Sequence, residues 1–288
     1  MITLYGWGPL FDCPSPSPYV MKTDIQLQML GLEYNRAIAD LDAVPKGKAP
    51  YVIDGGVLIE DSNFIRAHFE KKLRRNLAAG LSDEDSVTSW ALERMAEDHL
   101  TTIMMMERWL KDGNFFKGPA LFFSNVPDAA RKGVMQEVRA GIAASEQARG
   151  MGRHSDAERM QLAEWDLQAI AIQLAGQDYL FGDTPTVADA AVSAVLISCA
   201  TEYFDIHPAR RSFRLCRAGS NVACVFEGMR RLLRIGAKRR SALKYLQFMT
   251  RTDGPRIAYL ARAFGAALLG TILIATLVSL ILPRDTSQ

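Results

Sequence analysis

The feature that most limits the fold of this chain is a short hairpin pattern that leads directly into a helix start. Residues 50–53 and 57–59 are two short, largely apolar runs, and Asp54-Gly55-Gly56 lies between them. Asp-Gly between two such runs predicts a tight antiparallel turn. Asp61-Ser62 follows at once and is typical of a helix N-terminus. The sequence therefore predicts a β-β-α unit that ends near Lys72.

A β-α-β pattern precedes this unit. Residues 2–7 alternate apolar with small or polar residues and predict a strand. Residues 18–31 place apolar residues at helical spacing and end at Gly31, which is typical of a helix C-terminus. Residues 34–39 could form a second strand. The resulting order, β-α-β followed by β-β-α, is that of the thioredoxin fold, so we expect an α+β chain with a thioredoxin-like N-terminal domain.

The sequence after residue 80 predicts helices and no strand. Apolar residues recur at helical spacing over residues 83–111, 127–149, 155–175 and 186–202. We therefore expect an all-α second domain. The predicted divisions are a thioredoxin-like domain at 1–76, a helical domain with a basic C-terminal part at 83–250, and a transmembrane tail at 261–283.

The C-terminal part of the chain differs from the rest in charge and hydropathy. Residues 1–208 hold 19 Lys and Arg against 29 Asp and Glu, whereas residues 209–288 hold 15 against 3. Residues 264–282 carry no charge, which approaches the roughly 20 apolar residues that span a bilayer. Because basic flanks stay on the cytoplasmic side, we predict a single-pass C-terminal anchor with the body cytoplasmic.

Two alternatives remain for this C-terminal part. The apolar run could instead be a buried core helix. The basic segment before it suits anionic membrane lipids. Nucleic acid is the less favoured partner, because no nucleic-acid-binding motif accompanies the charge.

Three motifs give the chain a resemblance to a known family. They are residues 17–22 (Ser-Pro-Tyr-Val-Met-Lys), residues 48–51 with 59–65, and residues 152–155 with 181–190. The first two resemble the glutathione site of glutathione transferases. All three, in this order, resemble the branch of that superfamily that holds failed-axon-connections and metaxin-like proteins. The resemblance spans about residues 1–230 and does not include the apolar tail.

The resemblance implies that Ser17 is the catalytic residue, in contact with the glutathione sulfur. A free thiol has a pKa of about 8.5, and a helix N-terminus lowers it. A hydroxyl that donates to the sulfur would stabilise the thiolate further. The alternative is that Ser17 only caps the helix that follows.

The resemblance also implies a set of glutathione-binding residues. Pro50 would form a cis peptide bond that exposes the backbone of Ala49 for strand-like pairing with the tripeptide. The alternative is an ordinary trans proline. A helix start would hold the γ-glutamyl group, with its carboxylate at Ser62 and its amine near Asp61. A loop lysine would neutralise the glycine carboxylate. The full predicted set is Tyr19, Lys48 (or Lys46), Ala49, Pro50, Asp61 and Ser62.

Other residues allow competing readings. Cys13 could form mixed disulfides, although the helix aligns with Ser17. Met104-Met105-Met106 and Trp109 could line an apolar electrophile pocket, with core packing as the commoner explanation. Thr186 to Asp189 reads as a structural capping box. The four histidines have no paired spacing, so we predict no metal site.

Two functions follow from these observations. The first is a glutathione transferase that joins the thiolate to a small apolar electrophile, such as an epoxide or activated halide, at a membrane surface; the resemblance suggests a homodimer. The second is a non-catalytic, metaxin-like membrane adaptor with a vestigial glutathione site. A Cys13-dependent reductase is a weaker third possibility.

Overall fold

The computed structural model describes residues 1–10, 13–124, 126–174, 177–199 and 201. The predicted tail at 261–283 and the basic segment before it lie outside these residues. In the described part, no helix combines the length and the hydropathy that a membrane crossing requires.

The N-terminal part is a four-stranded mixed sheet with two helices. The strands are β1 (Ile2–Gly6), β2 (Asn35–Ile38), β3 (Tyr51–Asp54) and β4 (Val57–Glu60), and the helices are α1 (Pro18–Met29) and α2 (Ser62–Leu73). The strand order is β2-β1-β3-β4. β1 is parallel to β2 and antiparallel to β3, and β3 and β4 form a hairpin. This is the predicted thioredoxin-like arrangement.

The hairpin turn depends on the backbone conformation that its two glycines can adopt. Asp54 pairs with Val57 across the turn. Gly55 and Gly56 between them have φ of 58° and 93°, a region that side chains rarely adopt. Two consecutive residues with positive φ make a turn whose twist matches that of the flanking strands.

The remaining described chain is helical, as predicted. The main helices are α3 (Asp83–Arg94), α4 (Thr101–Leu110), α5 (Asp112–Phe115), α6 (Asp128–Arg149), α7 (Asp156–Leu174) and α8 (Val187–Cys199). The predicted helix at 83–111 is α3 and α4 joined by a π-helical turn, Met95–Leu100. The hydroxyl of Thr101, the residue after this turn, donates to the carbonyl of Ala96 at 2.9 Å. The sequence did not predict the turn.

Helix α1 lies in the interior of the described fold. Its residues Met21 and Ile25 belong to a core cluster that includes residues of α8. Every residue of α8 is buried. Leu27 of α1 belongs to a second cluster with residues of the sheet and α2. Because α1 is covered from both sides, its polar side chains are buried with its apolar ones, and this arrangement brings charge into the core.

Helix α8 begins with the predicted capping box. The backbone N–H and the hydroxyl of Thr186 both donate to the carboxylate of Asp189, at 2.7 and 2.8 Å. The other carboxylate oxygen accepts the N–H of Leu180 at 2.9 Å. The motif therefore fixes the start of a buried helix, which confirms the predicted structural role.

The Gly-Arg-His-Ser motif joins α6 to α7, and it yields a stability prediction. A Cβ on Gly152 would lie 2.7 Å from the backbone nitrogen of Gln147, which cannot move without disturbing α6. Gly152→Ala should therefore lower the free energy of unfolding by about 1–3 kcal/mol in urea titration. Gly141→Ala is the matched control, because nothing lies within 4 Å of its Cβ. It should gain roughly 0.5–1 kcal/mol as a helix-interior change. Equal effects of the two changes would contradict the assigned close approach.

Candidate functional site

Three predicted parts of the site lie at one end of the sheet. Tyr5 in β1 pairs with Tyr51, and their rings stack at 4.6 Å. Tyr51 in turn pairs with Glu60, the last residue of β4. A Cβ on Gly6 would lie 2.6 Å from the side chain of Val20 in the first turn of α1. The start of α1, the residue before β3 and the start of α2 therefore meet at this end.

Ser17 is the N-cap of α1, as predicted. Its hydroxyl oxygen accepts the N–H of Val20 at 3.5 Å, and Pro18 occupies the first helical turn. The Ser17 O–H has no acceptor among the residues that the structure describes. The hydroxyl can therefore cap the helix and still offer its proton to a ligand.

The Ala49–Pro50 peptide bond is cis, which confirms the predicted isomer. The carbonyl oxygen of Pro50 accepts the backbone N–H of Asp61 at 3.3 Å. This hydrogen bond joins the proline loop directly to the start of α2.

The turn into α2 has an unusual backbone. Asp61 has φ 78° and ψ 132°, a region that costs of order 1–3 kcal/mol for a residue with a side chain. Its carboxylate accepts the N–H of Asn63 at 2.9 Å. Ser62 is the first helical residue and is 4% exposed. The Ser62 hydroxyl has no hydrogen-bond partner in the described part of the chain, and the N–H groups of this first turn suit a carboxylate.

The loop lysines differ in their surroundings. Lys48 is exposed beside the cis bond, where its role as a carboxylate partner stays a prediction. The ammonium of Lys46 lies 4.7 Å from the ring centre of Phe64, and its backbone N–H donates to Glu60 at 2.8 Å. Lys46 therefore stabilises the loop against α2.

Tyr19 faces the helical part of the protein. Its hydroxyl donates to the backbone carbonyl of Glu97 at 2.8 Å. Burial raises the pKa of this phenol well above its usual value, with Glu97 and Asp98 acting in the same direction. The hydroxyl proton of Tyr19 is therefore used in the hydrogen bond to Glu97 and is not free to donate to a ligand. The predicted glutathione contact of Tyr19, which stays a prediction, would have to use the ring or an oxygen lone pair.

A buried ammonium beside the site was not predicted. Lys22 is 1% exposed, and its Nζ donates to Oδ1 of Asn63 at 2.7 Å. The same Nζ lies 3.3 Å from a carboxylate oxygen of Glu93 and closer still to Glu97. Burial raises the pKa of Glu93, and Lys22 acts against that shift. A lysine within a helical pattern is ordinarily read as solvated, so only the tertiary packing reveals this group.

Cys13 does not have the surroundings of a redox site. It is 8% exposed, and its Sγ lies 4.0 Å from the hydroxyl of Thr201. Reactive thiols lie in partly exposed positions, so this burial argues against the hypothesis of a Cys13-dependent reductase.

Arg108 is also buried. It donates to the carbonyl of Pro16 at 3.3 Å and so supports the loop that carries Ser17. Burial lowers the pKa of Arg108 to about 10.

The methionines of α4 favour the core explanation over the pocket explanation. Met104 and Met106 are buried, and Met104 belongs to the cluster between α1 and α8. The ring of Trp109 stacks on Phe122 at 6.1 Å within a separate aromatic cluster.

Across the described ranges, no group of three or more His, Cys, Asp or Glu is arranged to hold a metal ion.

Comparison with known proteins finds similarity to glutathione S-transferases and to Failed axon connections. Residues 18–114 match the family model described as the glutathione S-transferase N-terminal domain. The chain is 29% identical over 209 residues to isoprene-epoxide–glutathione S-transferase of Rhodococcus sp. (strain AD45), covering 68% of this chain and 85% of that protein. It is 28% identical over 206 residues to Failed axon connections of Drosophila melanogaster, covering 68% of this chain and 49%, about half, of that protein.

Two solved structures share the fold. Glutathione transferase GSTFuA3 from Phanerochaete chrysosporium gives a TM-score of 0.54 at 17% identity, covering 80% of this chain and 96% of that one. The beta-etherase LigF from Sphingobium sp. strain SYK-6 gives 0.52 at 15%, covering 85% and 97%. At these identities the likeness concerns the fold alone. The family model and the two relatives confirm the predicted resemblance: residues 18–114 match a glutathione S-transferase N-terminal domain, and the chain is similar to a glutathione S-transferase and to Failed axon connections.

Proposed function

We propose that this protein is a glutathione transferase that adds the glutathione thiolate to small apolar electrophiles. The observation that carries the proposal is the meeting of two helix starts and a cis proline at one end of the sheet. Ser17 would donate to the sulfur, the backbone of Ala49 would pair with the tripeptide, and Ser62 would receive the γ-glutamyl carboxylate. Asp61 would lie near the amine, and Lys48 near the glycine carboxylate.

Epoxides are the first class of electrophile to test, since the Rhodococcus relative is an isoprene-epoxide–glutathione S-transferase. The thiolate sulfur would form a bond to one epoxide carbon while the carbon–oxygen bond breaks. The resulting alkoxide would take a proton from water. A lowered thiol pKa and the proximity of the two reactants would supply the rate.

The test is a conjugation assay with the purified full-length chain. Glutathione is mixed with isoprene monoxide or 1-chloro-2,4-dinitrobenzene, and the adduct is measured by mass spectrometry. We expect an adduct rate well above that of the mixture without protein. An unchanged rate across a panel of epoxides and activated halides would contradict the transferase proposal.

Retention on immobilised glutathione tests binding apart from catalysis. Ser62→Ala should weaken binding to the immobilised glutathione by about tenfold. The variant loses a buried hydroxyl that would contact a carboxylate. Ser86→Ala, an exposed position on α3, is the matched control and should elute like the unchanged protein. Identical elution of both variants would remove Ser62 from the proposed site.

A membrane adaptor is the second candidate function. Phe64, Val87 and Trp90 expose half or more of their surface, which suits a macromolecular partner such as a second copy of the chain. In that case the glutathione site would be vestigial, and the full-length protein would neither bind immobilised glutathione nor conjugate it.

Membrane anchoring through residues 264–282 forms part of the proposal, with the body cytoplasmic and the basic segment on anionic lipids. The full chain should sediment with vesicles containing phosphatidylserine and resist carbonate extraction. Leu273→Lys with Leu277→Lys should release it, because two charges at the centre of a span are costly. Leu273→Ile with Leu277→Ile is the control and should remain bound. Release of neither or both variants would contradict the anchor.

A further inference from the structure

The ammonium of Lys22 connects four elements in the interior. It lies on α1 and contacts Asn63 of α2, Glu93 of α3 and Glu97 of the π-helical turn. A lysine has three donor hydrogens. Lys22 donates a hydrogen bond to Asn63 and lies within ion-pair distance of the two glutamates, and its side chain is 1% exposed.

Glu97 is held by α1 at two points one helical turn apart. Its side chain contacts Lys22, and its backbone carbonyl accepts the Tyr19 hydroxyl at 2.8 Å. Its second carboxylate oxygen lies 2.6 Å from Arg94. These contacts fix α1 relative to the π-helical turn, which leaves Asn63 as the contact through which Lys22 acts on α2.

Asn63 belongs to the turn that would hold the γ-glutamyl group. Its backbone N–H donates to the carboxylate of Asp61, and its side chain accepts from Lys22. Asp61 has a positive φ, and such a conformation persists only where surrounding contacts enforce it. The Lys22–Asn63 hydrogen bond is one of those contacts, and it crosses from α2 to α1.

We propose that Lys22 is a positioning residue of the glutathione site, which holds the turn Asp61–Asn63 at a fixed distance from Ser17 through its hydrogen bond to Asn63. This inference rests on the proposed function. Ser17 and Lys22 lie on the same rigid helix, so the bond sets the separation between the thiol-binding end and the carboxylate-binding end of the site. Loosening the turn lowers affinity for glutathione and leaves the thiol end intact.

The test removes the acceptor and keeps the ammonium with its two glutamates. Asn63→Ala should raise the Kd and the KM for glutathione by about tenfold while kcat stays within about twofold, since a charge-assisted hydrogen bond is lost outside the reacting centre. Asn63→Asp keeps an acceptor for Lys22 and should recover most of the affinity. Asn76→Ala is the control, because Asn76 accepts from Ala78 in an exposed turn and should change neither constant.

Hydrogen exchange of the free protein separates this inference from the proposed function. Amides of residues 61–65 should exchange at least several-fold faster in Asn63→Ala than in the unchanged chain or in Asn76→Ala. Faster exchange in a chain that binds no glutathione would support the positioning role and defeat the proposed function. Unchanged exchange and unchanged Kd in Asn63→Ala would overturn the positioning role and leave the transferase proposal standing.

Discussion

Ser17→Ala should lower kcat/KM for glutathione conjugation by about 100-fold, the usual cost of removing one donor from a developing or stabilised anion. The Ser17 oxygen accepts from Val20, and its O–H can still donate to a ligand at the start of α1. Without it, the bound thiol should ionise closer to its ordinary pKa of about 8.5. The rate of the variant should therefore keep rising with pH where that of the unchanged protein has levelled.

A matched variant separates the catalytic effect from the loss of a helix cap. Ser82 caps α3 in the same way, accepting the N–H of Asp85 at 3.1 Å, far along the chain from the site. Ser82→Ala and Ser17→Ala should each lose about 1 kcal/mol of stability. Only Ser17→Ala should change the pH–rate profile. If both variants keep full activity, Ser17 is a cap and nothing more.

Local sequence signals predicted the parts of this fold that local physics determines. The turn after Asp54 needs two residues with positive φ, and glycines stand at both positions. The caps at Ser17 and Thr186 need only a short polar side chain before a helix, and both were predicted correctly. Each of these features is decided within a few residues, so a single sequence contains the whole argument.

The cis bond and the turn at Asp61 mark the limit of such reasoning. The resemblance implied the cis isomer at Pro50, since nothing in the residues around it distinguishes cis from trans. The positive φ of Asp61 was not predicted, because aspartate shows no local preference strong enough to require it. Contacts from other elements enforce it, among them the hydrogen bond to Pro50 and the hydrogen bond from Lys22 to the side chain of Asn63.

The buried charges were beyond prediction for a related reason. Lys22 follows apolar residues at helical spacing, a pattern that does not say how many faces of the helix are buried, and α1 is covered on two sides. The number of covered faces depends on α8, which begins more than 150 residues later in the chain. The π-helical turn places Glu97 against Lys22. This turn also depends on tertiary packing, which the local sequence pattern does not predict.

Lys22→Met should cost about 3–5 kcal/mol of unfolding free energy, the largest stability effect we expect from a single change in this chain. Methionine preserves most of the volume, so the cost comes from charge. Removing the ammonium leaves Glu93 and Glu97 buried with less compensation, and such unpaired charges are expensive. Urea titration at pH 7 measures the loss.

The pH dependence of that loss identifies its cause. Burial raises the pKa of Glu93 above its ordinary 4.5, so folding favours the protonated form and stability falls as pH rises through the folded pKa. Lys22 opposes this shift, and its removal should extend it upward. The deficit of Lys22→Met should therefore shrink as pH falls from 8 towards 5, because protonation removes the uncompensated charge.

Lys72→Met provides the control, since it deletes the same ammonium from a lysine that is half exposed rather than buried. Lys72 is half exposed and lies 2.5 Å from Asp54, so its loss should cost about 1 kcal/mol or less. His68 and Lys72 lower the pKa of Asp54, so that carboxylate stays ionised throughout pH 5–8 and the small deficit should be constant there. If Lys22→Met showed the same small, constant deficit, the interior ammonium would be dispensable for stability. A large deficit that failed to shrink at low pH would instead assign the cost to packing.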